Sequence, residues 1–277
     1  MGCHSRIRRL AALSAGSIAI GSLAACSSGG GAATAQRDST LQKVIRAGTL
    51  NVASCLSFPP FGSKDQSGRP QGFDVDVAGA MAKALGVKLK VIDTTSANRI
   101  PNLQTNKVDA VVCNFTITPE RAKQIAFTDP YVVAGEVLLV KKSSNISGLK
   151  DLSGKTVAVT KGSTDGDAVK KGNPQAKIQE YDTSSAGVLA VKQGQADAMV
   201  EDSNFLNYQA KLDPSLKVTR TSVVPLEYNG IGVRAGDPTW LQWVNTWLRD
   251  FNTSGEGDAL YKKWFGVDRV FKLNPSY

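Results

Sequence analysis

The chain has 277 residues, 42% of them hydrophobic, with 33 Lys+Arg against 24 Asp+Glu and one histidine, for a formal net charge of +9. That histidine, His4, falls in an N-terminal segment read below as an export signal. The exported chain therefore runs neither Ser-His-Asp nor Cys-His chemistry and lacks the commonest zinc ligand, so no metal or other cofactor is expected. The basic residues are dispersed rather than blocked or interleaved with aromatics, which argues against nucleic acid and leaves an anionic small ligand or envelope surface as the reason for the excess.

Residues 1–25 place Arg6, Arg8 and Arg9 ahead of a small, apolar run too short and too Ser/Gly-broken for a stop-transfer helix, the pattern of a signal peptide. The run ends Leu23-Ala24-Ala25-Cys26, which resembles the lipobox of bacterial lipoproteins and makes Cys26 the expected lipid-modified first residue after cleavage. The Ser-, Gly- and Ala-rich residues within 26–40 read as a flexible tether that lifts a folded part off a membrane. What remains could form one large domain or two small ones, and two lobes are expected: 41–134 with 229–277, and 135–228.

A first strand is expected over 49–54, left by the rigid extended turn Phe58-Pro59-Pro60-Phe61. In 72–86, Val75, Ala78, Met81, Ala82 and Leu85 recur at helical spacing, and Gly86 stops the helix. Asp74 and Asp76 at its positive end read as capping residues, which explains both without catalytic chemistry. A strand over 88–92 follows, then Ser96-Ala97-Asn98-Arg99-Ile100-Pro101, where cap residues and an early proline open another helix. This β-α-β order with short connections implies a mostly parallel sheet flanked by helices in each lobe, an α/β fold.

The chain is organised around 113–121, Cys-Asn-Phe-Thr-Ile-Thr-Pro-Glu-Arg, which leaves the strand 109–112 where open α/β sheets place ligands. Asn114 and Thr116 point the same way if extended, and Arg121 reaches back with a planar fork suited to a carboxylate. In the second half, the strand 156–160 runs into Gly162, Ser163 and Thr164, whose free N–H groups at a helix start make an anion site. An internal echo links the halves. Asp109-Ala110-Val111-Val112-Cys113-Asn114 has the layout of Asp197-Ala198-Met199-Val200-Glu201-Asp202, so Asn114 and Asp202 occupy matching strand ends. Facing lobes would then set cationic donors against an anion, the set that an α-amino acid needs. Near the C-terminus, Trp240, Trp243, Val244, Trp247, Leu248 and Phe251 form a helical stripe expected to pack on lobe one, before a short closing helix over 258–265.

With those residues in place, the chain over 41–270 resembles the family-3 solute-binding proteins that serve bacterial ABC importers of amino acids. The segment 72–85 is similar to the family signature, and 115–121, 155–164 and 197–202 are similar to its ligand-contact segments. The resemblance implies two lobes joined by a two-strand hinge that close on a ligand, and partnership with permease and ATPase subunits. It implies an exported, lipid-anchored monomer facing the periplasm or exterior, with no catalytic role. By the same resemblance Arg121 and the Thr116 and Thr164 amides hold the ligand carboxylate, the Asn114 carbonyl and Asp202 hold its ammonium, and Phe58 walls the pocket with Gly162 and Ser163 nearby. The run from Ser96 to Pro101 is similar to the glutamate/aspartate branch, in which the residue matching Arg99 grips a side-chain carboxylate. Cys55 and Ser184 depart from that branch, so a polar neutral amino acid or a cystine-like ligand stays open. The family fold also sets the strands ending at Cys55 and Cys113 side by side, within disulfide range. The rival class is a periplasmic dehydratase of the same fold with Glu201, Glu227 or Asp165 as an acid; a sensory or structural lipoprotein predicts no tight ligand.

Overall fold

The computed structural model describes residues 39–270 and 273; the expected signal, Cys26 and all but the last two residues of the expected tether lie outside the described residues. Helix α1 (Thr40–Ala47) is capped by the Ser39 side chain and ended by left-handed Gly48, which turns the chain into β1 (Thr49–Ser54). A short hairpin, β2 (Ser63–Lys64) and β3 (Pro70–Gln71), leads to α2 (Phe73–Ala84) and β4 (Lys88–Asp93). A 3-10 turn at Ser96–Asn98 runs into α3 (Arg99–Gln104), then β5 (Ala110–Val111), α4 (Pro119–Ala122) and the long β6 (Ala126–Lys141). The second half is β7 (Thr156–Thr160), α5 (Asp165–Gly172), β8 (Lys177–Tyr181), α6 (Ser184–Gln193), β9 (Ala198–Asp202), α7 (Ser203–Leu212) and β10 (Leu216–Val218). Strand β11 (Val224–Val233) returns to the first half, which α8 (Pro238–Thr253) and α9 (Glu256–Phe265) complete.

The strands follow the order β4-β1-β5-β11-β6-β9-β7-β8, with β10 beside β6. The outer trios are parallel, and the two long strands between them pair antiparallel with each other and with their neighbours. The lobes are therefore not built on two separate sheets; β6 and β11 carry one hydrogen-bonded path from lobe to lobe, and they are the covalent hinge. Among the described residues no helix is long and apolar enough to cross a membrane.

The sequence echo has a structural cause. Asp109 donates its N–H to Asn51 O at 2.8 Å and accepts Asn51 N–H on its side chain at 2.9 Å. Asp197 does the same to Thr156, at 2.8 Å each way. Each aspartate thus fixes the register between its strand and the first strand of its lobe, which delivers the two strand ends in the same way.

The tryptophan stripe forms a core face of α8, where Trp240, Val244, Trp247, Leu248 and Phe251 are buried. Trp240 donates its indole N–H to Asp109 O at 2.9 Å, tying the helix to lobe one. The capping expectation for α2 is corrected. Gly72 is the N-cap and no side chain caps it. Asp76 instead accepts from Lys263 Nζ and Trp264 Nε1 of α9, each at 2.7 Å, and Asp74 faces the strand end after β5. Nor do side chains cap α3: Asn98 precedes it with no capping bond and donates to Thr95 Oγ1 at 3.0 Å.

Candidate functional site

The C-terminal ends of the parallel strands from both lobes meet at one cleft. After β1 come Cys55, Ser57 and Phe58; after β4, Thr94, Thr95 and Ser96; after β5, Cys113, Asn114 and Thr116. The opposite wall supplies Thr160 at the end of β7 with Ser163, Thr164 and Asp165 beyond it, Asp182, Thr183 and Ser184 beyond β8, and Glu201 and Asp202 of β9. The space between the walls is about 30 Å³, room for a water or two and less than an amino acid fills. A disulfide joins Cys55 to Cys113 across β1 and β5, with Cα atoms 5.2 Å apart, and forms part of the floor.

Two arginines of lobe one converge on a single carbonyl of lobe two. Arg121 Nη2 donates to Gly162 O at 2.9 Å and its Nη1 to Thr116 O at 2.7 Å. Arg99 Nη2 donates to the same Gly162 O at 3.0 Å, while its Nε bonds Ser96 O at 3.0 Å and its Nη1 bonds Cys113 O at 3.2 Å and Asn114 O at 3.1 Å. Among the described residues, those partners take four of the five guanidinium N–H groups of Arg99. Both cations also face the Phe115 ring, at 4.2 and 5.1 Å. Burial and the neighbouring Arg121 push Arg99 down to about 9. Gly162 is left-handed at φ +81, and a Cβ there would stand 2.7 Å from Ala97 Cα of the facing lobe.

Carboxylates surround this pair. Asp202 caps α7 by accepting Asn204 and Phe205 N–H, and accepts Asn114 Nδ2 across the cleft at 3.2 Å; burial and Glu201 push it up to about 7. Glu201 accepts the Thr160 and Ser184 hydroxyls at 2.8 Å each and the Asp202 N–H at 3.1 Å. Burial raises Asp165, with Glu201 and Glu136 adding to the shift. Glu136, raised to about 8 by burial and by Glu227, accepts Thr164 Oγ1 at 3.0 Å. The hinge residue Glu227 accepts Thr116 Oγ1 at 3.3 Å. Apart from these polar links, Phe58 stacks on Phe205 of lobe two with centroids 4.4 Å apart, and Ser185 Oγ donates to Ser57 O at 2.8 Å.

The structure thus brings Phe58, Ser96, Arg99, Asn114, Thr116, Ser163, Thr164 and Asp202 to the cleft wall, with Gly162 and Arg121 behind it. Arg99, which a bland reading would place on a helix surface, is 3% exposed. Sequence reasoning missed Phe205, Phe115 as the arginine platform, and Asp74 with Tyr131. Glu201, Glu227 and Asp165 were reached only as acids of the rival dehydratase class; the signal for Glu201 and Asp165 was their place beside predicted strand ends. Chemically, the cleft sets guanidinium donors and the backbone around Gly162 against the Asp202 carboxylate, a match for a small zwitterion.

The profile described as bacterial extracellular solute-binding proteins, family 3, matches residues 50–267. The ABC transporter glutamine-binding protein of Bacillus subtilis (strain 168) is 34% identical over 254 residues, covering 89% of this chain and 93% of the relative. A glutamine-binding protein of Geobacillus stearothermophilus is 37% identical over 190 residues, covering 67% and 72%. Among solved structures, an ancestral amino acid-binding protein described as a precursor of cyclohexadienyl dehydratase has a TM-score of 0.78 at 42% identity, covering 82% of this chain and 100% of that one. An ancestral arginine-binding protein, solved with arginine and with glutamine, has a TM-score of 0.76 at 40% identity, covering 79% and 99%.

Proposed function

Because the chain belongs to the bacterial extracellular solute-binding proteins of family 3, we propose that it captures one polar α-amino acid between its lobes and presents it to the permease of an ATPase-driven importer. The observation that carries this reading is the opposition, across one cleft, of the arginine pair and Asp202. When the lobes part, Gly162 O leaves both guanidinium groups. A ligand carboxylate then takes Arg121 with the Thr116 and Thr164 amides, its ammonium takes Asp202 and the Asn114 carbonyl, and Phe58 covers it. Closure about β6 and β11 returns lobe two to the ligand. Anchoring through Cys26, as a monomer, would keep the protein at the membrane beside its permease.

The side chain lies toward the disulfide, Ser57, the 94–96 turn and Arg99. An acidic side chain was expected there because of Arg99, but that guanidinium is largely occupied by main-chain carbonyls, and Asp165, Asp182, Glu201 and Glu227 also face the cleft. A carboxamide both donates and accepts, which suits a wall of that mixed kind, so a glutamine-like ligand is the reading supported best. The relatives that bind glutamine agree with it. The excess of carboxylates favours a cationic side chain as the second reading.

The test is calorimetric titration of ligand-stripped protein with glutamine, asparagine, arginine, histidine, cystine, glutamate and aspartate. Glutamine binding at micromolar or tighter, about −8 kcal/mol, is expected. Tight binding of arginine alone would select the second reading, and tight binding of the acidic pair alone would restore Arg99 as selector. No binding by any of them, with turnover of prephenate or arogenate, would replace transport by dehydration.

A further inference from the structure

Asp74 is a carboxylate in the wrong place for a helix cap. It is 1% exposed, in the first turn of α2, and every bond it makes points away from its own helix. Its Oδ2 accepts the Asn114 N–H at 2.9 Å, and its Oδ1 accepts the Tyr131 hydroxyl at 2.8 Å. The Tyr131 oxygen lies 3.0 Å from the same Asn114 N–H, so the three groups close a triangle. Asn114 is left-handed, at φ +39, a conformation that costs an L residue free energy and persists only where its surroundings over-determine it. From that conformation its Nδ2 reaches Asp202 of the other lobe.

Resting on the amino-acid reading above, we propose that Asp74 is the positioning residue of the ammonium subsite: with Tyr131 it fixes the turn at Asn114, and so aims the Asn114 carbonyl and side chain at the point where Asp202 meets the ligand. One end of the Asn114 residue is held from lobe one and the other from lobe two. Asp74 therefore acts on every ligand with an α-ammonium group, whatever its side chain. Burial is what pushes the Asp74 carboxyl up to about 7, and the bonds from Tyr131 and Asn114 oppose that shift.

The test is a cycle of Asp74→Asn with Asn114→Gly in the full chain, titrated with glutamine and arginine. Glycine adopts the left-handed turn without strain and has no side chain to aim, so it removes the strain that Asp74 offsets and one of the two groups it aims, leaving only the carbonyl. Asp74→Asn is expected to weaken whichever of the two ligands the wild type binds at least tenfold, and by a clearly smaller factor in the Asn114→Gly background, where only the carbonyl is left to aim. An equal loss in both backgrounds would make Asp74 merely structural, and unchanged affinity in Asp74→Asn would remove it from the site; either overturns the proposal. Should Asp74→Asn fail to fold, Tyr131→Phe takes its place in the cycle, with a loss of at least threefold expected in the wild-type background, a smaller one in the Asn114→Gly background, and no loss overturning the proposal. A wild type that binds neither amino acid fails the amino-acid reading itself, which the wild-type titration shows before any variant is made.

Discussion

Replacing Gly162 by alanine isolates lobe closure from lobe stability. The residue sits at φ +81, where an alanine costs roughly 1–2 kcal/mol. Its new Cβ would meet Ala97 Cα at 2.7 Å, Ala97 N at 2.8 Å and Ser96 C at 3.1 Å, all main-chain atoms of the facing lobe. Carbon atoms rest at about 3.5–4.0 Å, so the lobes must separate locally by roughly an ångström. That separation stretches both arginine bonds to Gly162 O, each a charge-assisted bond worth roughly 1.5–3 kcal/mol. Those bonds belong to the ligand-free form; in the ligand-bound form the same Cβ still overpacks against Ala97 and Ser96, an obstruction of the kind that costs roughly 1–3 kcal/mol, about 5- to 150-fold in ligand affinity. Gly154 supplies the control. It has φ +71 with nothing within 4 Å of a built Cβ, so Gly154→Ala meets the same backbone cost without the obstruction. Calorimetry on the two variants, with thermal unfolding and small-angle scattering of each, should show similar unfolding midpoints. Only Gly162→Ala should have lost affinity and stayed extended in saturating ligand. Equal affinities in the two variants would refute the contact across the cleft.

Asp202→Asn keeps an acceptor for the cap of α7 but removes the anion, and should cost roughly 3–5 kcal/mol of binding by calorimetry, the scale for leaving one buried charge without its partner. Asp74 and Asp202 are raised from 3.8 to about 7 and Glu136 from 4.5 to about 8, in each case first by burial. The unfolded chain gives up these protons first, so this stability is complete below about pH 4 and is lost as pH rises to about 8. The melting temperature of the ligand-free protein should therefore fall between pH 5 and pH 8, and a rise across that window would contradict the burial of these groups. The disulfide closes a separation of 58 residues, so Cys55→Ser with Cys113→Ser should lower unfolding free energy by about 4 kcal/mol in denaturant titrations. Alkylation of Cys55 and Cys113 themselves in the untreated wild type, located by peptide mass analysis, would refute that bridge.

Much of this site could be read from sequence because its parts obey local rules. The Asp-Ala-apolar strands, the Gly-Ser-Thr turn and the tryptophan stripe each have a period or a punctuation that sequence displays. Asp74 was misread because capping is a local explanation that was already sufficient, whereas its partner Asn114 lies 40 residues away. The partners of Arg99 were illegible for a related reason: its acceptors are the carbonyls of Ser96, Cys113, Asn114 and Gly162, and main-chain carbonyls look alike at every residue. The Phe58–Phe205 stack had no sequence signal, since nothing local to either ring reports which lobe surfaces meet.

Two like-charge pairs at the cleft, one cationic and one anionic, favour a zwitterion over either of its halves. Arg99 and Arg121 converge on one neutral oxygen, and the proximity of Arg121 lowers the Arg99 pKa beyond what burial does. Asp74 and Asp202 flank Asn114 from opposite lobes; burial is what chiefly raises the Asp74 pKa, and the Asp202 charge adds to that rise. A carboxylate delivered to the arginines relieves the first repulsion, and an ammonium delivered to Asp202 relieves the second. A monofunctional acid or amine relieves one and leaves the other intact in a site that excludes water, where unpaired charge is most costly. Closing the lobes over a molecule that answers both charges therefore costs less than closing them over one that answers a single charge, an electrostatic reason for an α-amino acid beside the contacts themselves.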